Sequence, residues 1–103
     1  MDLRDFLEPD RDARLDDDLA AVGRALDALP ELWSRWGRLP AHARAEYAER
    51  WRARMLTLES LPGRLYRHRP TLRQRAEYMR LADRSRELLL LIDGLGLYPP
   101  RLS

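Results

Sequence analysis

Cysteine and lysine are both missing from this 103-residue chain, glycine occurs only five times and phenylalanine once. Without cysteine there is no disulfide framework, no Cys-ligated zinc or Fe–S cluster and no thiol catalysis. The same absence suits a reducing compartment, so a cytoplasmic location is the expectation. The scattered glycines build no phosphate-cradling loop. Long apolar runs are lacking too. The longest, Leu88 to Ile92, has five residues, far short of the roughly 20 needed to span a bilayer. The first ten residues, Met-Asp-Leu-Arg-Asp-Phe-Leu-Glu-Pro-Asp, are acidic where a secretion signal is basic and then apolar. The expectation is a non-secreted chain without membrane contact.

All 19 basic residues are arginine. A GC-rich coding bias produces that composition. So does selection for the bidentate contacts to phosphate or carboxylate that lysine cannot make. The net charge of +2 hides an uneven layout. Residues 1–34 hold ten acids and four arginines, a net of −6; residues 35–103 hold seven acids and fifteen arginines, a net of +8. Such an asymmetry points to charge pairing within the chain or to a charged partner.

No stretch alternates as a half-buried strand does, whereas several repeat at helical spacing. Prolines at 9, 30, 40, 62 and 70, with Gly63 and Gly94, divide the chain. The first helix is expected from about Asp10 to Leu29, with the seam Leu15, Leu19, Val22, Leu26, Leu29 spaced 4-3-4-3. That phase continues through Trp33 and Trp36 across Pro30, where a kink or break is expected. The second helix is expected from Pro40 to about Ser60, with Tyr47, Trp51, Met55 and Leu58 on one face beside Ala48. Leu61-Pro62-Gly63 ends it, and an arginine-rich loop runs to Pro70. Thr71 with Gln74 has the spacing of a capping box and opens the third helix. Its stripes are Tyr78, Ala82, Ser85, Leu89, Ile92 and Leu81, Leu88, Leu91, and Gly94 stops it. The segments Arg44-Ala-Glu-Tyr47 and Arg75-Ala-Glu-Tyr78 repeat at an offset of 31, which ordinary helix composition also produces.

The sequence therefore predicts an all-α fold, a small three- or four-helix up-down bundle with 1–103 as one domain. Residues 1–9 are expected to be a flexible N-terminus and 95–103 a non-helical tail. The heptad-like seam and the two-faced last helix carry more apolar surface than three short helices cover, so an oligomer, most simply a dimer, is expected. Its interface would use Leu19, Val22, Leu26, Trp33, Trp36, Leu88, Leu89 and Ile92.

Catalytic candidates are few. His42 and Glu46, four apart, make at most half a metal site, and Ser34, Ser60 and Ser85 have no neighbouring base. Arg35-x6-His42 fits the Arg-x(4–6)-His pattern of HEPN-type ribonucleases, with Gly37 and Pro40 interrupting the segment. That spacing is the one pointer to catalysis, and the expectation is a non-enzyme without cofactor or metal.

Two functions fit. The first is a helical interaction or adaptor protein that binds itself and a partner protein through the apolar seam, with charged faces setting orientation. The alternative is a small nucleic-acid-binding protein. Between Arg35 and Arg75 lie eleven arginines and three acids. Arg50, Arg54, Arg64, Arg67, Arg69, Arg73 and Arg75 would contact phosphates, with Tyr66 placed to stack a base. Against that reading, the acidic first helix can lie on the basic segments and neutralise them.

Overall fold

In the computed structural model, residues 4–67 and 69–102 are described, with side chains from Arg14 onward. Helix α1 spans Arg4–Arg35, and one 3₁₀ turn over Trp36–Arg38 leads to α2, Ala41–Arg67. Helix α3 covers Leu72–Glu87 and the short α4 covers Leu89–Gly94. The described residues contain helices and no strand.

The seam expected in the first helix is the centre of the core. Leu15, Leu19, Val22, Leu26 and Leu29 are buried, together with Trp51, Met55, Leu58, Leu61 and Leu65 of α2. Leu81, Leu88, Ile92 and Leu97 close the third side. Asp18 pairs with Arg64, which sets α1 antiparallel to α2. Asp16 pairs with Arg73 and Asp27 with Arg84, which sets α1 parallel to α3. The order is up-down-up, with α1 packed against both α2 and α3 and those two touching each other far less.

Three expectations fail at prolines and at Leu88. Helix α1 runs through Pro30 without the break that was one of the two outcomes expected there, and it begins at Arg4 rather than near Asp10. Proline removes one backbone donor and crowds the preceding turn. Here Leu26 and Leu29 before it and Leu32 after it are all buried, and that packing holds the helix across the lost bond. No separate fourth helix forms around Trp33 and Trp36. Helix α2 likewise continues past Ser60 through Pro62 to Arg67, because Leu61 and Leu65 belong to the same buried stripe as Leu58. The expected arginine-rich loop shrinks to the few residues before Thr71, and Tyr66 sits on the last turn of a helix instead.

The third helix, in turn, is two. At Leu88 the backbone leaves helical geometry (φ −90°, ψ 4°), and its N–H reaches the carbonyls of Arg84 and Arg86. Leu88 and Ile92 both face the core, while Leu89 and Leu90 are exposed. The capping box that opens α3 is present in full: Gln74 N donates to Thr71 Oγ1 at 3.0 Å, and Thr71 N donates to Gln74 Oε1 at 3.0 Å. Gln74 is itself buried, and its Nε2 donates to Asp16 Oδ1 at 3.2 Å, so the cap is tied to α1.

The molecule measures 56 × 25 × 19 Å. Its length comes from α1, whose 32 residues extend about 48 Å at the usual rise. Since Asp16 and Asp18 already meet the first turn of α3 and the end of α2, the turns from Arg4 onward project past both. The surface of 7380 Å² exceeds the roughly 6,000 Å² expected for a compact chain of this mass.

Candidate functional site

Two grooves flank the bundle, one on either side of α2. The first lies between α1 and α2. Ala21, Ala25 and Ala28 form its floor, Arg24 stands on one bank, and Arg50 and Arg54 on the other. Tyr47 and Trp51 close its base, and the whole encloses about 300 Å³. The small alanines keep the floor low, so the three longer arginine side chains rise on both sides. All three are exposed, and among the described residues none of them forms an ion pair.

Tyr47 packs against two aromatic rings. Trp36 meets it edge-on at 5.9 Å between centroids, and Trp51 lies nearly parallel at 6.5 Å. Burial pushes its hydroxyl above the ordinary tyrosine range, with Arg50 pulling the other way. A ring so placed is a wall of the groove and no stacking platform.

The second groove, of about 320 Å³, lies between α2 and α3. Leu65 comes from α2, and Tyr78, Met79 and Ala82 from α3; Arg75, Asp83 and Arg86 form the rim. Met79 is 63% exposed although it is large and apolar. Burial raises the Tyr78 hydroxyl, and Arg86 opposes the shift. The two tyrosines of the 31-residue repeat thus occupy corresponding places, one in each groove beside arginines.

The residues expected to pair copies of the chain are mostly consumed inside it. Leu19, Val22, Leu26, Leu88 and Ile92 are buried in the core of the single chain. This corrects the expected interface: one copy of α2 and α3 already covers the seam. Of the remaining three, Trp36 is half-buried, while Trp33 (46%) and Leu89 (42%) are exposed. Leu32 takes the core position expected for Trp33.

The seven candidate phosphate ligands separate into three groups. Arg64 and Arg73 are paired with Asp18 and Asp16, so the acidic helix does neutralise part of the basic segment. Arg50 and Arg54 open onto the α1/α2 groove. Arg67, Arg69 and Arg75 are exposed near the turn between α2 and α3, where Arg69 adopts a positive φ of 48°.

Arg35 ends α1 and His42 lies in the first turn of α2; both are exposed, and neither lines a groove. His42 and Glu46 are exposed as well. Among the described residues no three His, Cys, Asp or Glu side chains gather as metal ligands would. No described helix is long and apolar enough to cross a membrane.

Sequence reasoning missed Arg24, Leu65, Met79 and Arg86. Arg24 is the one arginine of α1 between Leu15 and Ser34, on the row Ala21, Arg24, Ala25, Ala28 that faces away from the seam. Met79 interrupts a charged row from Arg75 to Arg86, where no apolar stripe marks it. Compared with the known protein families, the curated proteins and the solved structures, the chain matches none.

Proposed function

We propose that the chain is a non-catalytic interaction module whose α2/α3 groove accepts an acidic amphipathic helix, supplied by a second copy of the chain. The observation that carries this reading is the open groove of Leu65, Tyr78, Met79 and Ala82, whose rim holds Arg75 and the Arg86–Asp83 pair. Helices α2 and α3 both rest on α1 but leave room between themselves for one more helix, as a four-helix arrangement would fill.

The chain carries a matching occupant. Residues 1–13 include Leu3, Phe6 and Leu7, spaced i, i+3, i+4, among five acids and two arginines. The turns of α1 from Arg4 to Ala13 project beyond the bundle by about 15 Å. The stretch of α3 from Arg75 to Arg86 that borders the groove is of similar length, about 16 Å. In a twofold dimer each projecting end would enter the partner's groove, and the contact would occur twice. Leu65 and Met79 would supply apolar contact, and Arg75, the rim arginine without a carboxylate partner among the described residues, would favour the acidic helix and speed encounter.

Size-exclusion chromatography with light scattering tests the reading. The full chain is expected as a dimer. Met79→Asp, an exposed site whose change leaves the core intact, and removal of residues 1–13 are each expected to give a helical monomer. A monomeric full chain sinks the proposal, and so does a dimer that survives both changes.

A further inference from the structure

We infer that the α1/α2 groove is a second, separate site that holds the phosphodiester backbone of single-stranded nucleic acid between Arg24 on one bank and Arg50 and Arg54 on the other. It rests on different residues from the α2/α3 groove and stands whether or not the chain pairs with itself.

The argument begins with charge. Three guanidinium groups line one groove, and no carboxylate is among its lining residues. Five arginines outside the groove, Arg64, Arg73, Arg80, Arg84 and Arg86, have a carboxylate partner, whereas the three gathered at this groove have none among the described residues. Like charges brought together over an alanine floor repel one another until an anion arrives. Arginine is suited to that anion, since its planar fork meets phosphate oxygens two at a time.

Shape selects the form of the phosphate. The groove is open along its length, whereas sites for small molecules enclose most of the ligand. Arg50 and Arg54 are four residues apart on α2, about 6 Å along the axis, with Arg24 of α1 opposite. A strand lying lengthwise meets all three. A duplex presents its backbone with a second strand alongside and cannot settle between the two banks.

The groove also lacks the means to read bases. Tyr47 packs against Trp36 and Trp51, and Trp51 is fully buried, so no ring is free to stack on a base as sequence-tolerant platforms do. Binding is therefore to the backbone, indifferent to sequence and sensitive to salt. The exposed Tyr66, which the sequence suggested as a platform, lies on the last turn of α2, three turns beyond Arg54.

The test uses the full chain and a labelled 20-nucleotide oligo(dT), followed by fluorescence anisotropy across a salt series. Single-strand contacts contribute about 0.7 each to the slope of log affinity against log salt. The triple variant Arg24→Gln, Arg50→Gln, Arg54→Gln is expected to lower that slope by about 2 and to weaken binding at least tenfold. Lysine at the same three positions is expected to retain most of the slope. A charge-matched control, Arg35→Gln, Arg38→Gln, Arg101→Gln, removes three exposed arginines outside the groove and is expected to bind nearly as the parent does. All six positions are exposed, and circular dichroism confirms that each variant is folded. Absence of binding, an equal loss in the control, or a 20-base-pair duplex bound as tightly as the single strand each overturns the proposal. So does ATP competing at concentrations comparable to the oligonucleotide, which would mark a site for free nucleotides. Persistence of oligonucleotide binding in Met79→Asp keeps this site distinct from the pairing groove.

Discussion

The indole N–H of Trp51 donates to the backbone carbonyl of Tyr98 at 2.8 Å, joining the middle of α2 to the chain's non-helical end. Two further contacts fasten the same stretch. The Tyr98 hydroxyl donates to Glu59 at 2.8 Å, and the Arg52 guanidinium lies 5.7 Å from the centre of the Tyr98 ring. Leu97 is buried against the core beside them. Trp51→Phe keeps most of the packing and removes the one donor, so a loss of about 1–2 kcal/mol is expected. Trp51→Ala, which also empties the largest buried volume, is expected to cost about 3–5 kcal/mol. Urea unfolding of the two variants separates the hydrogen bond from the ring. An unchanged midpoint in Trp51→Phe would mean that the bond to Tyr98 contributes nothing.

Gly94 lies against the ring of Trp33. A Cβ added at Gly94 would stand 2.6 Å from both Cη2 and Cζ3 of that ring. The missing side chain at Gly94 admits the indole, while the left-handed turn that follows α4 is made by Gly96 (φ 71°) rather than by the Gly94 stop the sequence suggested. Gly94→Ala is expected to displace Trp33 outward, raising its solvent exposure and costing about 1 kcal/mol, at the low end for overpacked sites because the ring is already half exposed. Tryptophan fluorescence should shift to the red. In Trp33→Ala the same substitution should be harmless, and a double-mutant cycle measures the coupling. Additive effects would show that the two residues do not constrain each other.

The core was legible because it follows one rule. Leu15, Leu19, Val22, Leu26 and Leu29 repeat at helical spacing, and Trp51, Met55 and Leu58 do so in α2; all are buried. The capping box was legible because Thr71 and Gln74 act over three residues. What misled were local breakers inside long apolar stripes. Pro30 and Pro62 read as ends, but buried leucines on both sides of each, contributed by α1 and α2 to one core, outweigh a single missing bond. The reverse occurred at Leu88, where no breaker exists and the chain still leaves the helix.

The grooves were less visible. A pairing interface was expected where the leucine seam lies, and the seam is spent within the chain. What remains open is a mixed row, Arg75 to Arg86 with Met79 in it, and a small-residue row with Arg24 in it. Neither has a periodic hydrophobic signal. Both exist because α2 and α3 each pack against α1 and touch each other far less, a tertiary fact that spacing does not contain.

Alkaline pH should loosen the fold. Hydrogen bonding to Glu59 raises the Tyr98 hydroxyl above the ordinary range, and burial raises Tyr47 and Tyr78. A phenol whose folded-state value is raised gives up its proton first in the unfolded chain. Above the ordinary value of about 10 the unfolded chain thus holds fewer protons, and stability falls as pH rises. The contribution is present in full below that value and is lost through the folded-state range above it. Urea midpoints are expected to be steady from pH 7 to 9 and to fall beyond 10. Tyr98→Phe, which cannot ionise, should show a smaller fall. An equal fall in that variant would exclude the Glu59 contact as a source.

Pro30 offers a direct measure of what the core tolerates. It is exposed on α1, and its lack of an N–H leaves the Leu26 carbonyl without its helical donor. Proline within a helix costs about 3 kcal/mol relative to alanine. Its rigidity in the unfolded chain returns about 0.4–1 kcal/mol. Pro30→Ala is therefore expected to stabilise the protein by about 2 kcal/mol, with a higher urea midpoint and unchanged helical content. Pro62→Ala, at the comparable exposed site in α2, should do the same, and the two effects should add because they lie on different helices. A loss of stability in Pro30→Ala would have a different meaning. It would show that α1 needs a bend at Pro30 to carry Leu32 and Trp36 around the end of the core, and that the proline is selected for that bend.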